Sequence, residues 1–443
     1  MKSNVSFKTY LSLSFFLFSM FLGAGNIIFA PPLGQAAGAN TWVAMSGFLV
    51  TGVGLVLLAI VALSLSGGTV ESLAGRVGGR FATVFSILLF LTLGPIYVVP
   101  RTAAVVFEIS VSPFTGADSW MLMLFSLAFI GLSVYLALNP KKMASRIGNV
   151  LTPLFLLLLL SIVAKSIITP IAPFSEPLGK YIDNAFSTGF TQGYYTMDVL
   201  AAFVFGKIFI DAAKNNGVQG RDLSGLFVRA GIFAVVGLGA VQLSLAGMGA
   251  SSFAVLGQSA NGGQALTQIA QLLLGNVGVV MLATVVFLTG LTTAVACLAA
   301  VAEYFSRLFP MLSYRAWIGM LAFISLVITN FGLSSILALA SPVLLVLYPI
   351  AITLIALVFL NRFFGGHQTV YIGAATGALV MGVFDAASSV NAVPAALNDF
   401  LATAVPGYSI GLGWITAALA CGLLSLALVP MSKGQIHANS TVA

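Results

Sequence analysis

Long apolar runs alternate with short polar ones from near Phe7 to about residue 430, and many run for 18 residues or more without a charge. A helix rising about 1.5 Å per residue needs roughly 20 such residues to cross a hydrocarbon core about 30 Å thick. Helices also satisfy their own backbone hydrogen bonds in lipid, and the two-residue alternation of a membrane barrel is absent. The pattern therefore predicts an all-α polytopic membrane protein of about twelve transmembrane helices, over roughly 9–31, 40–65, 82–110, 120–138, 148–168, 187–210, 225–248, 277–305, 314–331, 335–360, 369–388 and 409–430. The first run exceeds a secretory h-region and leads into Gly-Ala-Gly-Asn and Pro31-Pro32, so it is expected to be retained as a span. The stretch from Ser251 to Asn276 is too polar and Gly-rich for a span, and is expected to be either a short outer-surface helix acting as a gate or a passive connector.

An even number of spans puts both termini on one side, which charge can test. Lys2, Lys8, Arg76, Arg80, Lys141, Lys142, Arg146, Lys207, Lys214, Arg221, Arg229, Arg307, Arg315, Arg362 and Lys433 fall on the terminal face, against Lys165 and Lys180 on the other. The rule that Lys and Arg stay inside makes the terminal face cytoplasmic. Topology thus accounts for the net charge of +7, and a nucleic-acid partner is not expected. With 59% apolar and 7% charged residues, no soluble domain is left over. Cys297 and Cys421 fall inside apolar runs and read as small core residues rather than a disulfide. His367 and His437 lie in predicted cytoplasmic segments, and no phosphate-binding Gly-Lys-Ser/Thr loop or nucleophile triad is present. ATP drive, a His-rich metal site, an organic cofactor and enzymatic chemistry are therefore unsupported.

Two spans are interrupted near their middles, at Gly23-Ala24-Gly25-Asn26 in the first and at Gly193-Tyr194-Tyr195-Thr196-Met197-Asp198 in the sixth. They run in opposite directions, so a repeat of five spans brings the breaks together at mid-membrane. Freed N–H groups after Gly25 suit a carboxylate, and freed carbonyls suit a cation or an ammonium, a pairing that fits a zwitterion. Arg101, Glu108, Asp198 and Asp385 are ionisable residues in or at the edge of spans, where each needs a partner or water. Arg101 follows Pro100, which with Pro95 is expected to kink the third span. Its alternatives are pairing with Asp198 or Glu108, or sensing a substrate carboxylate. Asp198 is a candidate for an ammonium or a coupling ion, whereas Asp385 marks the outer water boundary. Thr289, Thr292 and Thr293 lie mid-span in the eighth helix, where hydroxyls either bond back to their own helix or ligate a small cation.

With GAGNIIFAPPLG at Gly23–Gly34, GFLVTGVGL at Gly47–Leu55, GPIYVVPRTAAVVFE at Gly94–Glu108 and GYYTMDVLAAFVFG at Gly193–Gly206, the chain resembles the bacterial branched-chain amino acid carrier family of the BrnQ or LIVCS type. The resemblance implies sodium-coupled import of leucine, isoleucine and valine. It also implies the leucine-transporter fold, a 5+5 inverted repeat plus two helices: repeats over 1–168 and 187–360, further helices over 369–430 and a short cytoplasmic tail over 431–443. By similarity to sodium symporters of that fold, the substrate would meet Ala24, Gly25, Arg101, Tyr194, Tyr195 and Asp198, with Tyr195 as an aromatic lid. Sodium would be held by Asn26 and Thr196 at one site. A second site would use Thr292 and Thr293 with the backbone carbonyls near Ser19 and Leu22.

Asp198 replaces a short neutral residue of those symporters, and Arg101 adds a charge. Either can supplement or displace the first ion site, so a proton remains the rival coupling ion, and a proton-coupled permease for other small apolar amino acids the rival function. A channel would need more polar residues than this chain offers, and a receptor a larger soluble element. The expected setting is the bacterial plasma (inner) membrane, with the bilayer and the branched-chain amino acid as partners.

Overall fold

The computed structural model describes residues 6–116, 118–138, 152–218 and 221–428, with the side chains of 152–155 and 221–224 left aside. Lys2, Lys141, Lys142, Arg146, Lys433, His437 and the 431–443 tail lie outside the described residues. Within them all regular structure is helical. Seven helices are long and apolar enough to cross a membrane: Ala30–Leu65, Gly79–Ser110, Ser119–Ala137, Gly225–Leu256, Gly262–Leu308, Leu333–Phe363 and Gln368–Ser389. Shorter apolar helices cover Phe7–Phe21, Leu156–Ile168, Tyr314–Thr329 and Gly413–Ala427. With the interrupted sixth helix these correspond to the predicted spans.

The first span is α1 (Phe7–Phe21), a non-helical stretch, and α2 (Ala30–Ala37), which begins on Pro31 and Pro32, where a missing N–H costs nothing. The second is α3 (Thr41–Leu49) and α4 (Leu55–Leu65), joined by a wide π turn at Val50–Gly54. The short α5 (Val70–Ala74) leads to α6 (Gly79–Leu91) and α7 (Val98–Ser110). Of the two prolines expected to kink this third span, only Pro95 does so, in a π turn at Thr92–Ile96 where Gly94 leaves helical geometry (φ −101°, ψ −111°). Pro100 lies instead in the first turn of α7, where an N–H would have no partner within the helix.

After α8 (Ser112–Thr115), α9 (Ser119–Ala137) and α10 (Thr152–Ile168) comes the sixth span, α11 (Ala185–Gln192) and α12 (Asp198–Asn215). Next is α13 (Arg221–Leu256), several residues longer at its C-terminal end than predicted. α14 (Gly262–Leu308) bends at Gly275, whose φ of +61° only glycine adopts without strain. The stretch Ser251–Asn276 is thus mostly helical: the end of α13, a turn, and the N-terminal segment of α14, whose first turn Asn261 caps by accepting the Gln264 N–H at 3.0 Å. α15 (Tyr314–Thr329), α16 (Leu333–Leu360), α17 (Gln368–Ser389), the unforeseen α18 (Ala395–Ala404) and α19 (Gly413–Ala427) complete the chain.

Lipid offers no hydrophobic drive between helices, so small residues set the close crossings. A Cβ on Gly189 of α11 would fall on the Ala44 carbonyl of α3, and one on Gly47 on the Phe186 carbonyl. Gly34 and Gly249 join α2 to α13 in the same way, and Gly373 and Gly377 join α17 to α19. Both broken spans end up buried at the centre, while α9 and α10 expose Leu124, Leu127, Leu157 and Leu160 on the outside. Cys297 is buried, Cys421 partly so, and neither is in a disulfide.

Candidate functional site

The break in the first span follows from its backbone bonds. The Gly23 N–H turns to the Phe21 carbonyl (2.9 Å), and the Asn26 N–H turns to Gly23 (2.9 Å). Those two N–H groups are the ones that a continuous helix would give to the Ser19 and Leu22 carbonyls. Both carbonyls, predicted as cation ligands, therefore lose their helical donors. In the sixth span Gly193–Thr196 form a tight turn, and Met197 takes left-handed geometry (φ 70°) before α12 starts at Asp198. A non-glycine residue there is strained, and such strain concentrates at functional sites.

One side chain bridges the two breaks. Asn26 donates its Nδ2 to the Asp198 carboxylate at 2.7 Å and to the Phe21 carbonyl at 2.9 Å. Its Oδ1 accepts from Gln242 Nε2 of α13, also at 2.7 Å, which leaves the buried Gln242 Oε1 without a partner. Thr196 donates to the Gly193 carbonyl (2.9 Å) and accepts the Asp198 N–H (3.3 Å). Asn26, Thr196, Asp198 and Gln242 are all buried.

Arg101 enters from α7 and is 3% exposed. Its Nη1 donates to the Tyr195 carbonyl at 2.6 Å and to the Tyr97 hydroxyl at 3.2 Å, and its guanidinium lies over the Tyr97 ring at 4.6 Å. The opposite edge faces the first break: a Cβ on Gly25 would come 2.6 Å from both Nε and Nη2, and Nε has no partner. Among the described residues the ion pairs within 4.0 Å are those of Lys207 with Asp211 and Glu303, so Arg101 pairs directly with neither Asp198 nor Glu108. Tyr195 stacks on Phe29 (6.3 Å between centroids), and its hydroxyl shares a hydrogen bond with Ser341 at 2.8 Å.

The threonines of α14 approach the first break from the other side. Thr292 and Thr293 both donate to the Thr289 carbonyl at 2.9 Å, and Thr289 donates to Val285 at 2.9 Å. Back-bonding is the ordinary habit of a mid-helix threonine. It also leaves the hydroxyl lone pairs pointing away, and Thr293 Oγ1 lies 2.7 Å from where a Cβ on Gly23 would be. Ala24 touches α14 near Gly290.

The structure thus gathers Gly25, Asn26, Arg101, Tyr195, Thr196 and Asp198 in one region, with Ala24 and Thr293 at its edge. Tyr194 turns elsewhere: it stacks on Tyr348 at 4.6 Å and accepts from Trp414 Nε1 at 3.2 Å. Asp385, near the C-terminal end of α17, is only partly buried. Gln242, Phe29, Tyr97 and Ser341 escaped the sequence reading, because lone residues within apolar runs carry no pattern. Only tertiary contact reveals them.

Comparison with known proteins agrees with this architecture. Residues 6–431 match the family described as branched-chain amino acid transport protein. The branched-chain amino acid permease BraB of Bacillus subtilis is 37% identical over 431 residues, 97% of each chain. The branched-chain amino acid transport system 2 carrier protein of Pseudomonas aeruginosa is 40% identical over 376 residues, 85% of this chain and 86% of that one. The permease BrnQ of Escherichia coli is 35% identical over 423 residues, 95% of each. Two solved structures share the fold at low identity. The nucleobase-cation-symport-1 transporter Mhp1, closed with bromovinylhydantoin bound, gives a TM-score of 0.59 at 14% identity and covers 94% of this chain and 91% of its own. MhsT in complex with L-phenylalanine gives 0.57 at 18%, covering 94% and 98%.

Proposed function

Because the chain belongs to the branched-chain amino acid transport protein family, and is therefore a multi-pass membrane transporter, we propose that it imports leucine, isoleucine and valine with sodium by alternating access. The observation that carries this reading is the pair of opposed helix breaks joined by the Asn26–Asp198 bond, with the unpartnered Nε of Arg101 facing the first of them.

The Nε and Nη2 edge of Arg101 is the side that takes a carboxylate in two parallel hydrogen bonds. Facing Gly25, it would hold the substrate carboxylate together with backbone amides freed in the first break. Asp198 and the sixth-span carbonyls would receive the ammonium. The aliphatic side chain would lie under the Phe29–Tyr195 stack. One methylene in an apolar pocket changes binding by only about 1–3 kcal/mol, so the three substrates are expected to share the carrier with graded affinity.

The residues present fit sodium, a hard cation that prefers oxygen. One set is Thr292, Thr293 and the freed Ser19 and Leu22 carbonyls; the other is Asn26, Thr196 and Gln242, whose buried Oε1 lacks a donor. When bound, sodium would supply positive charge that offsets these oxygens and favours one conformation over another. No organic cofactor enters the scheme. The setting is the bacterial plasma membrane with both termini cytoplasmic, and the repeats span 1–168 and 187–360.

Proton coupling is the second reading, and the buried Asp198 carboxylate, bonded to Asn26 at 2.7 Å, is what favours it. Alanine at Thr292 and Thr293 separates the two. Sodium coupling predicts that uptake loses its sodium dependence, while undiminished dependence would remove these threonines from the ion site.

A further inference from the structure

Glu108 ends α7 on the outer side, takes no part in the site above, and has no basic partner within 4.0 Å among the described residues. It faces the first turn of α14 instead: its Oε2 lies 3.1 Å from where a Cβ on Gly263 would be, beside the capping Oδ1 of Asn261 at 3.2 Å from the same point. The first N–H groups of a helix form its positive end, so a carboxylate there is favourable. The outer segment of α14, Gly262 to the bend at Gly275, lies directly over the first break, because a Cβ on Gly262 would fall on the Ile28 carbonyl.

On the other side the turn that precedes the segment is fastened to α2 and α13, and Ser259 of that turn donates to Gln268 within the segment at 3.3 Å. Gln35, fully buried, donates to the hydroxyls of Ser252 and Ser259 at 3.1 Å each and accepts the Ser259 N–H at 3.1 Å. The close α2–α13 crossing at Gly34 and Gly249 adds to this. Towards α7 a cavity of about 500 Å³, lined by Glu108, Gln264, Gln268 and Asn330 among others, opens along the seam.

We propose that Glu108 is a positioning residue for the transport cycle: its carboxylate latches the Gly262–Leu274 cap to α7. Gln35 makes the cap travel with α2, and Gly275 is the hinge. Opening the outer face breaks the Glu108 contact and leaves the Gln35 contacts intact. The effect on transport rests on the proposed import of branched-chain amino acids; the effect on the cap does not.

The test uses the full chain in lipid nanodiscs and proteoliposomes, with Glu108→Ala, Glu108→Gln and Glu108→Asp. Amide hydrogen exchange over 262–274 is expected to quicken about two- to fivefold in Glu108→Ala, the range of a carboxylate at a helix N-terminus. Glu108→Asp should restore part of the protection and the isosteric Glu108→Gln less. The turnover rate for leucine should fall by a similar factor, while equilibrium leucine binding does not weaken. A folding defect would instead lower the number of binding sites, which Glu108→Gln checks. Unchanged exchange in both Glu108→Ala and Glu108→Gln, or loss of binding in step with turnover, would overturn the latch. Wild-type protein that neither binds nor carries leucine would defeat the import reading, and the exchange arm would still judge the latch.

Discussion

A single methyl group probes the closest contact in the site. Gly25→Ala places a carbon 2.6 Å from Nε and Nη2 of Arg101, so the guanidinium must move off the edge assigned to the substrate carboxylate. Overpacking of this kind costs about 1–3 kcal/mol, and leucine uptake should fall at least about fivefold in protein that still elutes as a single species. Full uptake by this variant would show that the edge is not used. Ser341→Ala removes the partner of the Tyr195 hydroxyl and should raise the KM for leucine by about two- to tenfold, the worth of one hydrogen bond, with little change in kcat. An unaltered KM would mean that Tyr195 does not act as a lid. Residues of the breaks were legible in sequence because Gly, Asn and Asp are conspicuous inside apolar runs. Gln242 was not, since a lone glutamine reveals its role only through the 2.7 Å contact to Asn26.

Among the helices, hydropathy foretold existence and approximate ends because lipid enforces both. It could not foretell how each helix bends. Pro95 and Pro100 look alike in sequence, yet only the first interrupts the third span, because the second falls within the opening turn of a new helix. The polar stretch after Ser251 became mostly helical because a cap at Asn261 and contacts to α2 replace the apolar face that span prediction seeks. Crossings of α3 with α11 depend on glycine: Gly189→Leu would drive a side chain into the Ala44 carbonyl. The purified variant is expected to melt several degrees below wild type, with loss of leucine binding. An unchanged melting temperature would show that α11 can shift outward without consequence.

For the whole molecule, the fold was the most legible property and the coupling ion the least. Twelve alternating spans and an uneven distribution of Lys and Arg are strong signals spread over hundreds of residues. A sodium site, by contrast, draws on hydroxyls and backbone carbonyls that every helix possesses, so its identity depends on which N–H groups have turned away, as at Gly23 and Asn26. Asp198 keeps the proton in contention for the same reason: it sits where both breaks meet. The measurement that bears most directly on the account is uptake of labelled leucine into proteoliposomes under an inward sodium gradient, an inward proton gradient, or neither. Sodium-driven accumulation, competed by isoleucine and valine, is the predicted result. Accumulation driven by protons and indifferent to sodium would contradict it.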